Sequence, residues 1–189
     1  MLDLNVVPIE FRPIGTAFYG NTVIETFDEL NLFTNVKTTS ESAFYNCRNL
    51  KSVGLMNLTS AGHQLLRASG IIYAWMPKVI YAGSSASQAY RAWFYGCNSI
   101  IAVRFDVATS VRMIAYDSSV KYMIFTMSVV PTFVSPNYLA SKLYVPESLV
   151  NAYQETLGTK ATVYPISRVA TDYPNCPWLD DLRQKGFIN

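Results

Sequence analysis

Two stretches fifty residues apart carry almost the same pattern, and this internal repeat restricts the fold more than any other feature of the chain. Ser42-Ala43-Phe44-Tyr45-Asn46-Cys47-Arg48-Asn49-Leu50-Lys51-Ser52-Val53 aligns with Ala92-Trp93-Phe94-Tyr95-Gly96-Cys97-Asn98-Ser99-Ile100-Ile101-Ala102-Val103. Phe44 matches Phe94, Tyr45 matches Tyr95, Cys47 matches Cys97, Leu50 matches Ile100 and Val53 matches Val103. A third copy, Ala17-Phe18-Tyr19-Gly20-Asn21-Thr22-Val23, lies 26 residues before the first. A unit of this length cannot bury its own apolar face, so fixed apolar positions at such a period predict units stacked into a solenoid.

Weaker copies fill the intervals. Leu65 to Met76 aligns with Phe44 to Leu55 at an offset of 21, placing Leu65 and Ala68 at the Phe and Cys positions. Val120 to Phe125 aligns with Ile100 to Phe105 at an offset of 20. Strands are expected near 50–55, 71–76, 100–105 and 120–125, with Leu50, Val53, Leu55, Ile100, Val103 and Phe105 inward. Gly83 to Gln88 is small and polar and reads as a loop. Residues 1–14, with Val7, Ile9 and Phe11 alternating, suit an extended segment capping the first unit.

The C-terminal third changes character. Leu143-Tyr144-Val145 reads as a strand, and Pro146 and Glu147 open a helix whose stripe is Leu149, Val150, Tyr153 and Leu157, stopped by Gly158. This helix over 146–157 and a short strand at Thr162 to Ile166 would close the stack. Residues 167–189 form a separate tail in which Pro177, Asp180, Asp181, Lys185 and Gly186 spell a short capped helix. Its apolar residues Trp178, Leu179, Leu182, Phe187 and Ile188 must dock, either on the same chain or on another subunit.

Composition removes several functions. Net charge is +2 with no basic run, so no nucleic-acid partner is expected. The longest apolar run, Tyr122 to Val134, contains Pro131 and is too short to span a bilayer. The N-terminus does not read as a secretory leader. Cys47 and Cys97 occupy equivalent positions and read as buried thiols, and Cys176 sits in a Pro-rich segment open to exposure. His63 is the only histidine and reads as a loop residue, which rules out a multi-histidine metal site. Asp28-Glu29 and Asp180-Asp181 sit at helix starts rather than across a cleft. No catalytic residue, cofactor or metal is expected. Charged residues are only 15% and aromatics 14%, against roughly 25% charged in ordinary domains. Either some surface is covered by a partner, or a thin core uses many Tyr and Phe.

The repeats resemble the BspA-like class of leucine-rich repeats, whose core reads Ala-Phe-x-x-Cys-x-x-Leu-x-x-Val. Ala43 to Val53 fits throughout, Phe94 to Val103 fits with Trp93 in the Ala place, and Leu143 to Tyr153 is similar to the family's closing element. The resemblance covers about residues 15–166. It implies an α/β right-handed solenoid with short strands on one face and a helical closing element. It also implies a non-catalytic adhesion or recognition role on a bacterial surface or outside the cell.

In such a stack Lys51, Ser52, Ile72, Tyr73, Ile101, Ala102, Lys121 and Tyr122 point outward as a ladder that could contact a protein or glycan. Two other readings stay open. One is a structural subunit of a larger particle, such as a phage fibre or spike, that self-associates through the tail. The other is a carbohydrate-active enzyme, which would need two carboxylates across one cleft.

Overall fold

A computed structural model of the chain describes residues 15–84, 88–134 and 136–189. The expected cap over 1–14 and the loop residues 85–87 lie outside the described residues. The fold is α/β, with all-parallel sheets, few helices and no closed barrel among the described residues. The main sheet has the order β12-β11-β9-β7-β5. These strands are β5 (Tyr73–Met76), β7 (Ala102–Phe105), β9 (Tyr122–Phe125), β11 (Lys142–Val145) and β12 (Thr162–Pro165). Two-residue strands β1 (Thr26–Phe27) and β3 (Ser52–Val53) pair beside it. The Ile72 N–H donates to the Lys51 carbonyl at 3.1 Å, carrying the ladder from β3 to β5.

Each strand pairs with its neighbour in the chain's repeat. Tyr73 sits opposite Ala102, Ala102 opposite Tyr122, and Lys142 opposite both Tyr122 and Thr162. The strand sequences explain the parallel arrangement. Ala-Val-Arg-Phe in β7 and Tyr-Met-Ile-Phe in β9 are buried at every position, as expected for parallel strands covered on both faces. Alternate residues serve different cores. Val103, Phe105, Met123, Phe125, Leu143 and Val145 face the inner core with Leu50, Phe44 and Phe94. Ala102, Tyr122, Ile124 and Tyr144 face outward into a second apolar cluster.

A second ladder was not foreseen. It comprises the pair β2 (Thr38–Thr39) and β4 (Ser60–Ala61), and the sheet β6 (Tyr81–Ala82), β8 (Ser110–Val111) and β10 (Thr132–Phe133). Its strands are two residues long, too short for a periodic apolar signal. The match of Ser60-Ala61-Gly62 to Tyr81-Ala82-Gly83 is its trace in the sequence. Gly62 is there for close approach: a Cβ would lie 2.3 Å from the Glu41 backbone nitrogen.

The turns leading into the main ladder correct one alignment. Gly20 N–H donates to Tyr45 O, Asn46 to Arg67, Ala68 to Tyr95 and Gly96 to Tyr116. Gly20, Asn46, Ala68, Gly96 and Asp117 all have positive φ, between 47° and 68°, a conformation for which Gly and Asn are well suited. Leu66 and Ser69, not Leu65 and Ala68, therefore occupy the Phe and Cys places of the third unit. The offset is 22 in the turn and 21 at the strand, where Ile72 follows Lys51. One residue is lost between them.

Both repeat cysteines are free and buried. Each thiol donates across to the previous unit, Cys47 to Phe18 O at 2.8 Å and Cys97 to Leu66 O at 2.9 Å. Burial pushes the Cys97 thiol up to about 11 despite bonds from Ser69 and Ala68, so it stays protonated and unreactive. Cys176 is also buried, contrary to the exposure its Pro-rich surroundings suggested.

The closing helix begins as a 3-10 turn, Glu147–Leu149, and continues as α1 (Val150–Leu157), with Tyr153 and Leu157 buried. Gly158 ends it at φ 56°. Beyond β12 a short helix α2 (Val169–Asp172), unmarked by the sequence pattern, precedes the expected α3 (Leu179–Gln184).

Candidate functional site

The tail crosses the outer face of the main sheet as a strap. Ile166 and Val169 join Tyr144 in the outer cluster, and Tyr173 stacks on Tyr122 with ring centres 3.7 Å apart. Trp178 meets Tyr73 edge to face at 5.9 Å. Cys176, Trp178, Leu182 and Ile188 are buried beneath it, and Leu179 and Phe187 pack at its margin. The five apolar tail residues, expected to dock on the same chain or on another subunit, pack within their own chain.

A charged network fastens the far end. Arg104, on the outward register of β7, is fully buried. Its Nε donates to Asp106 Oδ1 at 2.8 Å and its Nη2 to Asp106 Oδ2 at 3.2 Å. Its Nη2 also lies against Asp181 Oδ2 of α3. Lys185 Nζ sits 3.2 Å from both Asp106 Oδ2 and Asp181 Oδ2. Trp75, paired with Arg104 across the ladder, offers its ring face to the guanidinium at 4.5 Å and donates its Nε1–H to Asp106. Thr126 Oγ1 donates to the other Asp106 oxygen. Burial works against the Asp106 carboxylate. Arg104's charge and the hydrogen bonds from Arg104 and Thr126, with Lys185, outweigh it and hold the group below its ordinary range. Two carboxylates face the Arg104 guanidinium, which makes its burial tolerable.

The strap is also fixed at its near end. The Tyr144 hydroxyl donates to Asp172 Oδ2 at 2.6 Å. Burial, then this bond to the carboxylate, raise the Tyr144 phenol. Burial likewise raises Tyr122, with Cys176 adding to it. Both phenols stay protonated at neutral pH.

This arrangement divides the eight ladder residues. Ala102 and Tyr122 point outward from the inner core as the repeat implied, but they are buried under the strap. Tyr73 and Ile101 are half covered by it. These four are not open contact surface, because a run of apolar outward residues draws in the nearest apolar segment, which is the chain's own tail. Lys51 and Lys121 remain exposed, and Ser52 and Ile72 are half-buried. Lys51 pairs with Glu25 at 3.0 Å, and Ser52 Oγ donates to Asp28. Where strap and open ladder meet, a pocket of about 220 Å³ is lined by Tyr73, Ile101, Lys121, Tyr122, Asp172 and Tyr173 among others. It brings together four of the eight ladder residues.

The sequence reading missed Arg104, Asp106 and Trp75. The available signal was a lone arginine inside the apolar strand Ala-Val-Arg-Phe, which at that register must find carboxylates. Elsewhere the chemistry is sparse. His63 is half-buried rather than solvent-facing, and its Nδ1 lies 2.8 Å from Ser84 Oγ, a residue only 1% exposed. Asp28 and Glu29 occupy the first turn of a 3-10 helix, Asp28–Leu32. No group of three or more His, Cys, Asp or Glu among the described residues could hold a metal. No helix among them is long and apolar enough to cross a membrane. No family model, curated protein or solved structure matches this chain.

Proposed function

We propose that the chain is a short right-handed solenoid of BspA-like repeats that acts as a non-enzymatic recognition module for a protein or glycan on a cell surface or outside the cell. Parallel pairing of successive units at 20 to 29 residues supports the repeat reading. The observation that carries the functional reading is the open ladder from β3 to the strap's edge. It presents Lys51, Ser52, Ile72 and Lys121 and ends at an aromatic pocket whose lining includes Lys121 and Asp172. Mixed aliphatic, aromatic and basic groups on a rigid sheet suit a partner contact. A non-enzymatic role accords with the two acidic pairs lying at helix starts.

The test is binding of the fluorescently labelled chain to a glycan array and a panel of bacterial and animal cells. Ile72→Asp and Lys121→Glu then follow against whatever binds. Each should weaken binding about tenfold or more with an unchanged melting curve. Retained binding in both variants would refute the ladder as the contact face.

A structural subunit of a larger particle is the second reading. With the tail engaged in cis, its support is exposed apolar side chains among the described residues of the first unit, Val23 at 86% and Leu32 at 54%.

A further inference from the structure

A second surface runs along the turns that enter the ladder. Because Gly20, Asn46, Ala68, Gly96 and Asp117 repeat one backbone conformation, the residues before them stand in a row: Tyr19, Tyr45, Arg67, Tyr95 and Tyr116. They form a continuous stack. Tyr19 and Tyr45 lie 4.8 Å apart at 14°, and Tyr95 and Tyr116 5.6 Å apart at 14°. Between the pairs, Arg67 places its guanidinium carbon 5.1 Å from the Tyr45 ring and 4.7 Å from the Tyr95 ring. Tyr90 flanks it at 5.7 Å, and Arg67 Nη1 donates to the Tyr90 carbonyl at 3.2 Å.

Among the described residues Arg67, Arg48 and Arg112 have no carboxylate within ion-pair distance, whereas Arg91, Arg104, Arg168 and Arg183 each have at least one. A guanidinium clamped between two ring faces has already lost most of its rotational freedom. With Nη1 held by the Tyr90 carbonyl, its remaining N–H groups are pre-positioned to donate to an oxyanion. The next residue, Ala68, lines a pocket of about 330 Å³ with Arg48, Ser69, Gly96, Asn98 and Ser99. Its polar groups are hydroxyls, an amide, backbone and a second guanidinium.

We infer that this row and pocket bind an acidic sugar, a uronate or sialate, whose carboxylate pairs with Arg67 while its hydroxyls meet the pocket's polar lining. A sugar fits better than an acidic peptide. An extended peptide repeats on one face every two residues, about 6.6 Å, out of step with a row set by the inter-strand spacing of about 4.8 Å. A lining of small hydroxyl and amide groups with few apolar side chains also lacks the anchors a peptide uses.

The inference rests on the recognition reading but on a different face, so the two fail separately. Ile72→Asp and Lys121→Glu should leave sugar binding unchanged. The experiment is titration of the full chain with trigalacturonate and with sialyllactose, alongside trigalacturonate methyl ester, maltotriose and a trimer of glutamate. The expected result is binding of at least one acidic sugar and about tenfold weaker binding of the ester and the neutral sugar. Arg67→Gln and Arg48→Gln should each weaken binding by about tenfold. Arg48→Gln leaves the stack in place, so the test survives if Arg67→Gln lowers stability. Equal binding of the ester or of the glutamate trimer would overturn the proposal. So would absence of binding by both acidic sugars at millimolar concentration, or unchanged affinity in both variants.

Discussion

Replacing Asp181 with Asn tests whether the strap is fastened by charge. Arg104 is fully buried and shared between Asp106 and Asp181. Removing one partner of a buried ion pair costs about 3–5 kcal/mol, because a charge is left uncompensated out of water. Two features reduce that here. The Asp181 side chain is 26% exposed, and Asp106 keeps two hydrogen bonds to Arg104. The variant would still hold two cations, Arg104 and Lys185, against a single carboxylate. A loss of about 2 kcal/mol follows, or a fall of about 1 M in the urea midpoint at a slope near 2 kcal/mol/M. Asp180→Asn is the matched control. The Asp180 carboxylate is fully exposed and, among the described residues, pairs with Arg183 alone, so the midpoint should not move. If the two variants unfold at the same urea concentration, the network does not hold the strap.

Two residues of one turn, Ala68 and Gly70, should respond with opposite sign. Ala68 is held at φ 54°, a strained region for a residue with a Cβ. Ala68→Gly should stabilise by up to about 1 kcal/mol, raising the melting temperature by about 2–4 °C. Gly70→Ala should destabilise by about 1–3 kcal/mol, since the added Cβ would lie 2.2 Å from the Arg48 carbonyl oxygen. Stability should also fall on acidification. Asp106 is held below its ordinary pKa when folded, so its contribution is present above about pH 4 and is lost as pH drops through the folded value. Urea midpoints between pH 7 and pH 2 should show this loss, and Asp106→Asn should flatten it.

The buried positions were legible because their signal in the sequence is apolar and periodic. Phe44, Cys47, Leu50 and their partners Phe94, Cys97 and Ile100 are all fully buried. The closing helix was legible for a related reason, with Pro146, Tyr153, Leu157 and Gly158 each marking a distinct local requirement. The third unit misled by one residue because Leu65 and Leu66 are both apolar and both buried, so hydrophobicity alone cannot set the register. The hydrogen bonds at Ala68 and Ser69 set it. The second ladder escaped because two-residue strands carry no period. The fate of the outer face was the largest gap. Alternation identified Ala102 and Tyr122 as outward, and the tail's stripe identified Trp178 and Leu182 as needing cover. Only the fold brings β12 to the sheet edge with the tail pointing back across β9 and β7. Arg104 and Asp181, 77 positions apart, could not be paired from spacing.

The most direct test of the account is the solution mass by light scattering of the whole chain and of a version ending at Pro165. The whole chain should run as a single species of 21.2 kDa, because its apolar tail is satisfied in cis. The shortened chain should associate and bind a hydrophobic dye, since Tyr122, Ile124 and Tyr144 would be uncovered. A whole chain that forms a defined oligomer, and falls to a monomer when the tail is removed, would contradict this. It would make the strap an arm that docks on neighbours and the chain a part of a larger particle.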